Sequence, residues 1–262
     1  MPDTGPRFAI LQRSLEIPDV ERLKHAFRSV KCLTDSDAHT LARDAFGILV
    51  KNLSPNDAMT LQGALAAEGI ETAVVLENEL PQLPPAKFVR QMECLPDALM
   101  VYDPIGRNSP VSWDQVLLVA AGNVQVTVFE ERQLRQPRPE GDLWHPRQRL
   151  FLENFPDSHA ETVSREKQAF QLMAEVLLNG AAMRFQIEAE KFRFNYLGDR
   201  RTNDVTQNLR ALVEDLMKFA PQAMANRGAY FLRDNPASVF QYPSKNAFHE
   251  EITWMLWQRA VG

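Results

Sequence analysis

The sequence predicts an α+β protein, in which a small β-α-α-β-α-β module precedes a seven-stranded antiparallel barrel with a capping helix and a C-terminal helical extension. Short apolar runs alternate with helical periods over residues 1–77. A proline-rich stretch, NELPQLPPA, follows at 78–86, and a two-residue period dominates beyond it. With 262 residues, 45% of them hydrophobic, the chain can bury the cores of two domains of ordinary size.

Three apolar runs in the first module have the length and β-branched content of strands, namely 8–12, 46–50 and 72–76. The helices between them have recognisable ends. Asp19 is an N-cap residue, Thr34 or Asp35 caps a second helix, and Ser54 precedes Pro55 at the first position of a third helix. Residues 1–77 are therefore predicted to form one α+β module, separated from the rest by a stiff linker at 78–86.

The segment from Leu33 through Phe46-Gly-Ile-Leu-Val50 to Gly69 resembles the carboxy-terminal domain of the ribosomal stalk protein. The additional helix at 19–30 is similar to the adaptor that delivers amino-end degrons to the Clp protease. This resemblance covers residues 8–77 and implies a fold.

The functional residues of those two families have no counterparts here. Ser14-Leu15 occupies the position of an Asn-Asp pair in the adaptor, and Asp44 occupies the position of the histidine in the adaptor's binding pocket. Asp35, Asp37 and His39 occupy the helix on which the stalk protein presents lysines. The resemblance therefore implies neither degron recognition nor binding of elongation factors.

Beyond the linker, period-two patterns predict strands, with a tight hairpin at Asn179-Gly180. The predicted hairpin register pairs Val176 with Met183 and sets Glu175 opposite Arg184. The candidate strands, eight runs from which about seven strands are expected, are 87–93, 98–103, 110–113, 115–121, 124–129, 149–154, 169–178 and 182–188.

One amphipathic helix follows the strands, beginning at a D-x-x-Q capping box formed by Asp204 and Gln207 and stopping before Pro221. An irregular segment, 221–243, precedes a last helix that starts after Ser244. This order over residues 87–220 resembles a bacterial pleckstrin-homology-like domain, a likeness also carried by Val111-Ser-Trp-Asp-Gln-Val116. The resemblance implies an architecture commonly used for recognition.

The net charge, the number of cysteines and the hydropathy of the chain argue against several classes of protein. A net charge of −5 argues against binding of nucleic acid, which requires a surplus of Lys and Arg. Cys32 and Cys94 are too few for a disulfide framework, which favours a reducing cytoplasm. No leader or transmembrane segment is predicted. We expect a cytoplasmic, bacterial-type protein, and the sequence leaves its oligomeric state open.

The loop DPIGRNSP offers Asp103, Arg107, Asn108 and Ser109, which could belong to an active site or to a hairpin turn. The turn requires only a Pro-Ile-Gly bend, with Gly106 supplying a positive φ. Catalysis would need a base for Ser109 or a second carboxylate. We favour the turn, with Arg107 and Asn108 left as an exposed edge for a partner.

A cluster of arginines surrounds Trp144 and His145 in the stretch QLRQPRPEGDLWHPRQR. Arg135 and Arg138, together with Trp144 and His145, could bind an acidic or phosphorylated ligand through forked contacts. Interspersed acids and prolines equally indicate a solvated loop. These four residues are nevertheless possible partner-binding residues.

No catalytic, metal or cofactor motif is present, so neither a metal nor a cofactor is predicted. The first hypothesis is a non-catalytic adaptor or regulatory protein that binds a protein partner. The alternative is a hydrolase-like enzyme with a site between the domains, built from Asp103, Arg107, Asp157 and His159.

Overall fold

The computed structural model describes residues 5–30, 33–134, 161–179 and 183–261. The protein contains both helices and strands, and the strands form several sheets. This confirms the α+β class. The helices are α1 Val20–Phe27, α2 Asp35–Asp44, α3 Pro55–Ala67, α4 Val205–Phe219, α5 Arg227–Asp234 and α6 Lys245–Val261. The strands are β1 Phe8–Gln12, β2 Ile48–Leu53, β3 Thr72–Leu76, β4 Ala86–Phe88, β5 Met92–Cys94, β6 Leu99–Tyr102, β7 Asn108–Val111, β8 Val116–Leu134, β9 Glu161–Leu178, β10 Arg184–Glu188, β11 Met224–Ala225 and β12 Gln241–Tyr242.

The predicted caps set the boundaries of the N-terminal helices. Asp19 accepts hydrogen bonds from the backbone N–H groups of Glu21 and Arg22, and Ser54 accepts one from Asp57. Pro55 then occupies the first turn of α3, where a missing N–H costs nothing. The element order β-α-α-β-α-β is the one predicted from the sequence.

The N-terminal sheet has the order β2-β1-β3, and both outer strands are antiparallel to β1. Because side chains alternate along β1, the two faces belong to different cores. Ile10 packs with Leu23, Phe27 and other apolar residues of the helices α1, α2 and α3. Ala9 and Leu11 pack on the other face against Trp254 and Trp257 of α6. The C-terminal helix thus covers the face that the N-terminal helices leave open.

The second half of the chain contains a six-stranded and a three-stranded sheet rather than the predicted closed barrel. The three-stranded sheet has the order β5-β6-β7 and ends at β7 in the part of the chain that the structure describes. A 3₁₀ turn at Trp113–Gln115 separates β7 from β8, and Pro110 in β7 lacks the N–H that a further strand would need. The two sheets therefore do not close into a barrel between β7 and β8.

The core of this half lies between the sheets and α4. Leu209, Leu212 and Leu216 of α4 are fully buried against residues of β8, β9 and β10. The strands predicted at 115–121 and 124–129 form one strand, β8, with Gly122 inside it. A Cβ at Gly122 would lie 2.5 Å from the ring of Tyr242, so close packing requires glycine here. The strand predicted at 149–154 lies outside the described residues.

The register predicted for the hairpin of β9 and β10 is wrong by two residues. Phe185 pairs with Val176 rather than with Ala174, and Leu178 donates its N–H to the carbonyl of Met183. A shift of two keeps every side chain on its predicted face, since the strand period is two. The predicted two-residue turn is therefore wrong, although the side chains alternate between the two faces of the hairpin as predicted.

The C-terminal region is more regular than predicted. Asp204 caps α4 by accepting from Thr206 and Gln207, but the Gln207 side chain donates to the carbonyl of Pro236 instead of closing a capping box. The supposedly irregular segment 221–243 contains β11, α5 and β12. The helix α5 was missed because it is only 8 residues long, with Gly228 in its first turn.

The chain forms two compact units, one of residues 1–125 with 171–262 and one of residues 126–170. The first contains both the N-terminal sheet and the core around α4. The described residues of the second belong to β8 and β9, where the amide of Gln168 donates to the hydroxyl of Thr127 over 3.1 Å. No helix in the described ranges is long and apolar enough to span a membrane.

Candidate functional site

The loop DPIGRNSP is a hairpin turn between β6 and β7. Asp103 accepts hydrogen bonds from the N–H groups of Ile105 and Arg107, and its second oxygen pairs with Nε of Arg107 at 2.8 Å. Gly106 has a φ of 85°, as the turn requires. The Arg107 guanidinium lowers the pKa of the Asp103 carboxyl below its ordinary value. Two of the four residues of the alternative active site, Asp103 and Arg107, are thus engaged with each other on the surface.

Most of the other residues predicted for a site lie outside the described part of the chain. Arg107 lies directly before β7 and Asn108 is its first residue, and both are exposed. Arg135, Arg138, Trp144 and His145 lie outside the described residues, as do Asp157 and His159 of the alternative site. Their roles stay predictions from the sequence.

A partly buried polar cluster around Cys94 lies beside α4, with Asp215 buried and Arg200 exposed. Tyr196 donates its hydroxyl to Asp215, and Arg200 binds both oxygens of the same carboxylate at 3.0 and 2.6 Å. Burial, and then the nearby Asp215 charge, raise the pKa of the Cys94 thiol to about 12. A thiol with this pKa is protonated at neutral pH and is a poor nucleophile. This cluster joins the segment before α4 to the helix.

A second cluster connects α6 to the sheet. Glu175 is fully buried on β9, with Oε1 at 3.0 Å from Nε2 of His249 and Oε2 at 3.6 Å from the guanidinium of Arg184. A carboxylate accepts only, so Nε2 of His249 is the donor in this contact. The groups lie between β9, β10 and α6 and neutralise one another there.

A third cluster fixes the start of α5. Glu251 accepts from the backbone N–H and the guanidinium of Arg227, and Tyr242 donates to the same carboxylate. Burial and the Glu251 charge raise the pKa of Tyr242 well above its ordinary value. Asn226 supports Tyr242 by donating to its hydroxyl at 2.8 Å. These residues form a closed internal network.

A cavity of about 150 Å³ lies beside this network, lined by residues of the N-terminal module and of the C-terminal segment. Arg227 stacks on Phe46 at its wall, with the guanidinium carbon 3.4 Å from the ring centre. Its charged lining residues, Arg227 and Glu250, are paired with Glu251 and Lys51 respectively. The cavity is too small for most organic ligands, whose pockets are several hundred Å³.

Most sheet edges carry a feature that hinders addition of another strand. The strands β4, β5 and β11 have only two or three residues, and two prolines precede β4. In β7, the pairing of Asp103 N–H with the Arg107 carbonyl places Pro110 with its nitrogen toward the open side. In β2, the pairing with β1 shifts twice, and Asn52 has a φ of 61°. Bulges, prolines and short length are the usual protections of sheet edges.

The edge strand β3 carries none of these protections. Its five residues, Thr72-Ala-Val-Val-Leu76, pair with β1 in an unbroken antiparallel register. They include neither proline nor charge, and three of them are β-branched. No second strand pairs with β3 in the described parts of the chain. It is therefore the one long, regular edge among them that is left unprotected.

The hydrogen bonds at the two ends of β3 show which groups point outward. Arg13 donates its N–H to the Glu71 carbonyl, and Glu77 donates its N–H to the Arg7 carbonyl. Because hydrogen-bonded pairs alternate in an antiparallel ladder, Ala73 and Val75 also bond to β1. Thr72, Val74 and Leu76 therefore direct their N–H and C=O groups away from β1.

One of these outward groups already has a partner within the chain. The amide of Gln62 on α3 donates to the Thr72 carbonyl at 3.3 Å. The remaining outward groups of Val74 and Leu76 have no backbone partner among the described residues. Thr72 and Ala73 are buried, whereas Val74 and Leu76 are half-buried, and α3 and α6 support the two faces of the sheet.

Carboxylates flank the open edge at both ends. Glu68 and Glu71 precede β3, and Glu77 and Glu79 follow it. Glu71 and Glu79 are exposed, whereas Glu68 contacts His25 and Glu77 accepts from the backbone N–H of Asn52. On β1, Arg13 lies opposite Glu71 and Arg7 lies opposite Glu77, so the neutral, β-branched strand has charges of both signs at its two ends.

Sequence reasoning predicted β3 as a strand at its observed bounds but did not identify its edge as a site. Strand order is fixed by long-range pairing and has no local signature. Three clusters of titratable residues, one of four members and two of three, were also missed as clusters, because their members are far apart in sequence. No three His, Cys, Asp or Glu side chains gather as a metal site within the ranges described.

No protein-family model, curated protein or solved structure matches this chain. The likenesses to the stalk-protein domain, the Clp adaptor and the pleckstrin-homology-like domain therefore stay expectations from the sequence.

Proposed function

We propose that this protein is a non-catalytic binding protein that takes up an extended segment of a protein partner at the edge of β3. The observation that carries the proposal is the row of outward N–H and C=O groups at Val74 and Leu76 on a regular edge strand. Such an edge pairs with an added strand through main-chain hydrogen bonds, a recurrent mode of peptide recognition.

The electrostatic groups of the described chain support a binding role. The buried carboxylates Glu175, Asp215 and Glu251 each contact cationic side chains of the same chain. Each of these contacts ties one element to another, as α6 is tied to β9 by His249. Groups used in this way stabilise a scaffold, and the edge of β3 is one surface that this scaffold leaves unpaired.

Comparative affinity capture with three forms of the protein tests this function. Val74→Pro removes the outward N–H without breaking a bond to β1, whereas Val74→Thr retains it and is the matched control. Circular dichroism and thermal unfolding first establish that all three forms are folded. We expect a partner from the native cell extract on the wild type and on Val74→Thr, but not on Val74→Pro.

The proposal fails if Val74→Pro retains the same proteins in the same amounts as the wild type. Capture that depends instead on Arg107 and Asn108 would move the binding surface to β7. Quantitative mass spectrometry of the eluates from these three forms, and from a fourth form, Arg107→Ala/Asn108→Ala, distinguishes these results.

A further inference from the structure

We infer that Gln62 sets the length of the segment that β3 receives, an inference that rests on the proposed function. The backbone of this segment bonds only to Val74 and Leu76, because Gln62 covers the edge at Thr72. The partner is therefore a short extended stretch of a flexible chain. It is not the edge strand of a second folded sheet.

The side chain of Gln62 covers the Thr72 end of the edge. Its amide donates to the outward carbonyl of Thr72 at 3.3 Å. Thr72 is also only 9% exposed, although its backbone N–H and C=O point away from β1. An added strand can therefore pair with Thr72 only if the Gln62 side chain moves away.

The connection between α3 and β3 holds Gln62 in this place. Leu61 and Leu65 are fully buried and fix α3 on the N-terminal core. Only residues 68–71 separate the helix from β3, and within this connection Ile70 donates its N–H to the Leu65 carbonyl at 2.9 Å. Gln62 follows Leu61 directly, so its amide stays within reach of the Thr72 carbonyl.

The other end of the edge is closed by the path of the chain. Leu76 is the last residue of β3, and a 3₁₀ turn at Glu77–Glu79 follows it directly. The N–H of Leu80 closes this turn on the Glu77 carbonyl at 3.3 Å. A strand added beside β3 cannot follow a turn. The open ladder therefore consists of the N–H and C=O groups of Val74 and Leu76.

This short ladder determines the kind of partner that fits. Extended peptides bind at sheet edges through main-chain hydrogen bonds, and each such bond contributes only a modest free energy. Residues of a longer segment that lie beyond Val74 and Leu76 would add no further bond. The strand of a folded sheet is usually longer, about five or six residues, and would meet Gln62. Val and Thr, which pack well on a pleated surface, suit the residues in contact.

Two peptides that differ in length, capped at both ends, test the inference. They are Lys-Val-Thr-Val-Lys and Lys-Thr-Val-Thr-Val-Thr-Lys, in which the lysines provide solubility. Gln62→Met removes the amide and retains the length and helix propensity of the side chain. Thr60→Met, at an exposed position of the same helix, is the matched control. Circular dichroism and thermal unfolding first establish that the wild type and both variants are folded.

NMR titration of the full-length proteins measures both the affinity and the extent of pairing. The backbone amide signals of Val74 and Leu76 report binding, and the carbonyl signal of Thr72 reports whether the added strand reaches it. We expect the wild type and Thr60→Met to bind both peptides equally, with the Thr72 carbonyl signal unchanged. In Gln62→Met we expect the longer peptide to bind about fivefold more tightly than the shorter one, as one added main-chain hydrogen bond provides, and to shift the Thr72 carbonyl signal.

An equal preference for the longer peptide in the wild type and in Gln62→Met would overturn this inference and leave the proposed function intact. Equal binding of the two peptides by Gln62→Met would overturn it in the same way. Failure of both peptides to shift the Val74 and Leu76 signals would overturn the inference and count against the proposed function. A dimer of the wild-type chain that protects the Val74 amide would also overturn the inference, because its partner strand would be the edge of a folded sheet.

Discussion

Glu250 and Glu251 are neighbours on α6, but the structure gives them very different roles. Glu251 is 1% exposed and holds Arg227 and Tyr242, whereas Glu250 makes one surface pair with Lys51. Removing one partner of a buried ion pair leaves the other charge uncompensated, and a surface pair contributes little. The two positions therefore form a matched test of the internal network.

We predict that Glu251→Gln lowers the free energy of unfolding by about 3 kcal/mol. Glu250→Gln should change it by less than about 1 kcal/mol. Urea unfolding followed by circular dichroism measures both values. Equal effects would mean that the contacts of Arg227 with Glu251 do not hold α5 and α6 together.

At Asp103, the prediction concerns pH. The pKa of this carboxyl is lowered, first by its hydrogen bond with the Arg107 side chain. A group with a depressed pKa in the folded state contributes stability above its unfolded pKa, which is about 3.9 for Asp. That contribution is lost as the pH falls through the lower folded value.

NMR titration of the Asp103 carboxyl should therefore give a midpoint below the ordinary range for aspartate. In Arg107→Gln we expect the midpoint to rise toward the ordinary value, because the main cause of the shift is removed. An unchanged midpoint in this variant would show that the turn backbone, and not the guanidinium, controls the carboxyl.

At the scale of an element, the edge strand β3 has two kinds of position. The N–H of Val74 points outward, whereas that of Val75 bonds to β1. Proline at an outward edge position removes no ladder hydrogen bond, but at an inward position it removes one. Val74→Pro should thus lower the free energy of unfolding less than Val75→Pro, by about 1–2 kcal/mol.

Chemical unfolding of the two proline variants measures this difference. Val74→Thr and Val75→Thr serve as controls for the lost side-chain packing, since threonine retains the N–H. If Val74→Pro destabilises the chain as much as Val75→Pro, the derived hydrogen-bond register of β3 is wrong.

The elements also show how far local sequence signals reach. Asp19, Ser54 with Pro55, and Asp204 gave the starts of three helices, because capping depends on neighbours in sequence. The register of β9 and β10 was wrong because the longer turn after Leu178 changes the pairing but not the alternation of faces.

For the candidate site, the sequence predicted the strand Thr72–Leu76 but not the absence of a neighbour beside it. That absence depends on which strands pair with β1, and on the prolines and bulges that protect the other edges. The exposed residues Arg107 and Asn108 were correctly placed beside a turn, yet their strand contains Pro110 at its edge.

At the scale of the whole molecule, α6 connects the two halves of the first compact unit. Phe248 and His249 face the six-stranded sheet. Trp254 and Trp257 pack on the N-terminal sheet, where the indole N–H of Trp254 also donates to the Gln12 carbonyl. The N-terminal sheet is thereby covered on both faces. Its edge at β3 is then the part of this sheet where a further strand can be added.

The central claim, that β3 is an open edge which receives a strand, is tested most directly by amide hydrogen exchange of the full-length protein. In the free chain we predict fast exchange at Val74 and Leu76 and slow exchange at Ala73 and Val75, because only the latter two donate to β1. Saturation with the capped heptapeptide Lys-Thr-Val-Thr-Val-Thr-Lys should slow exchange at Val74 and Leu76 and leave Ala73 and Val75 unchanged. Slow exchange at Val74 in the free chain, or exchange there that the peptide does not change, would contradict the account.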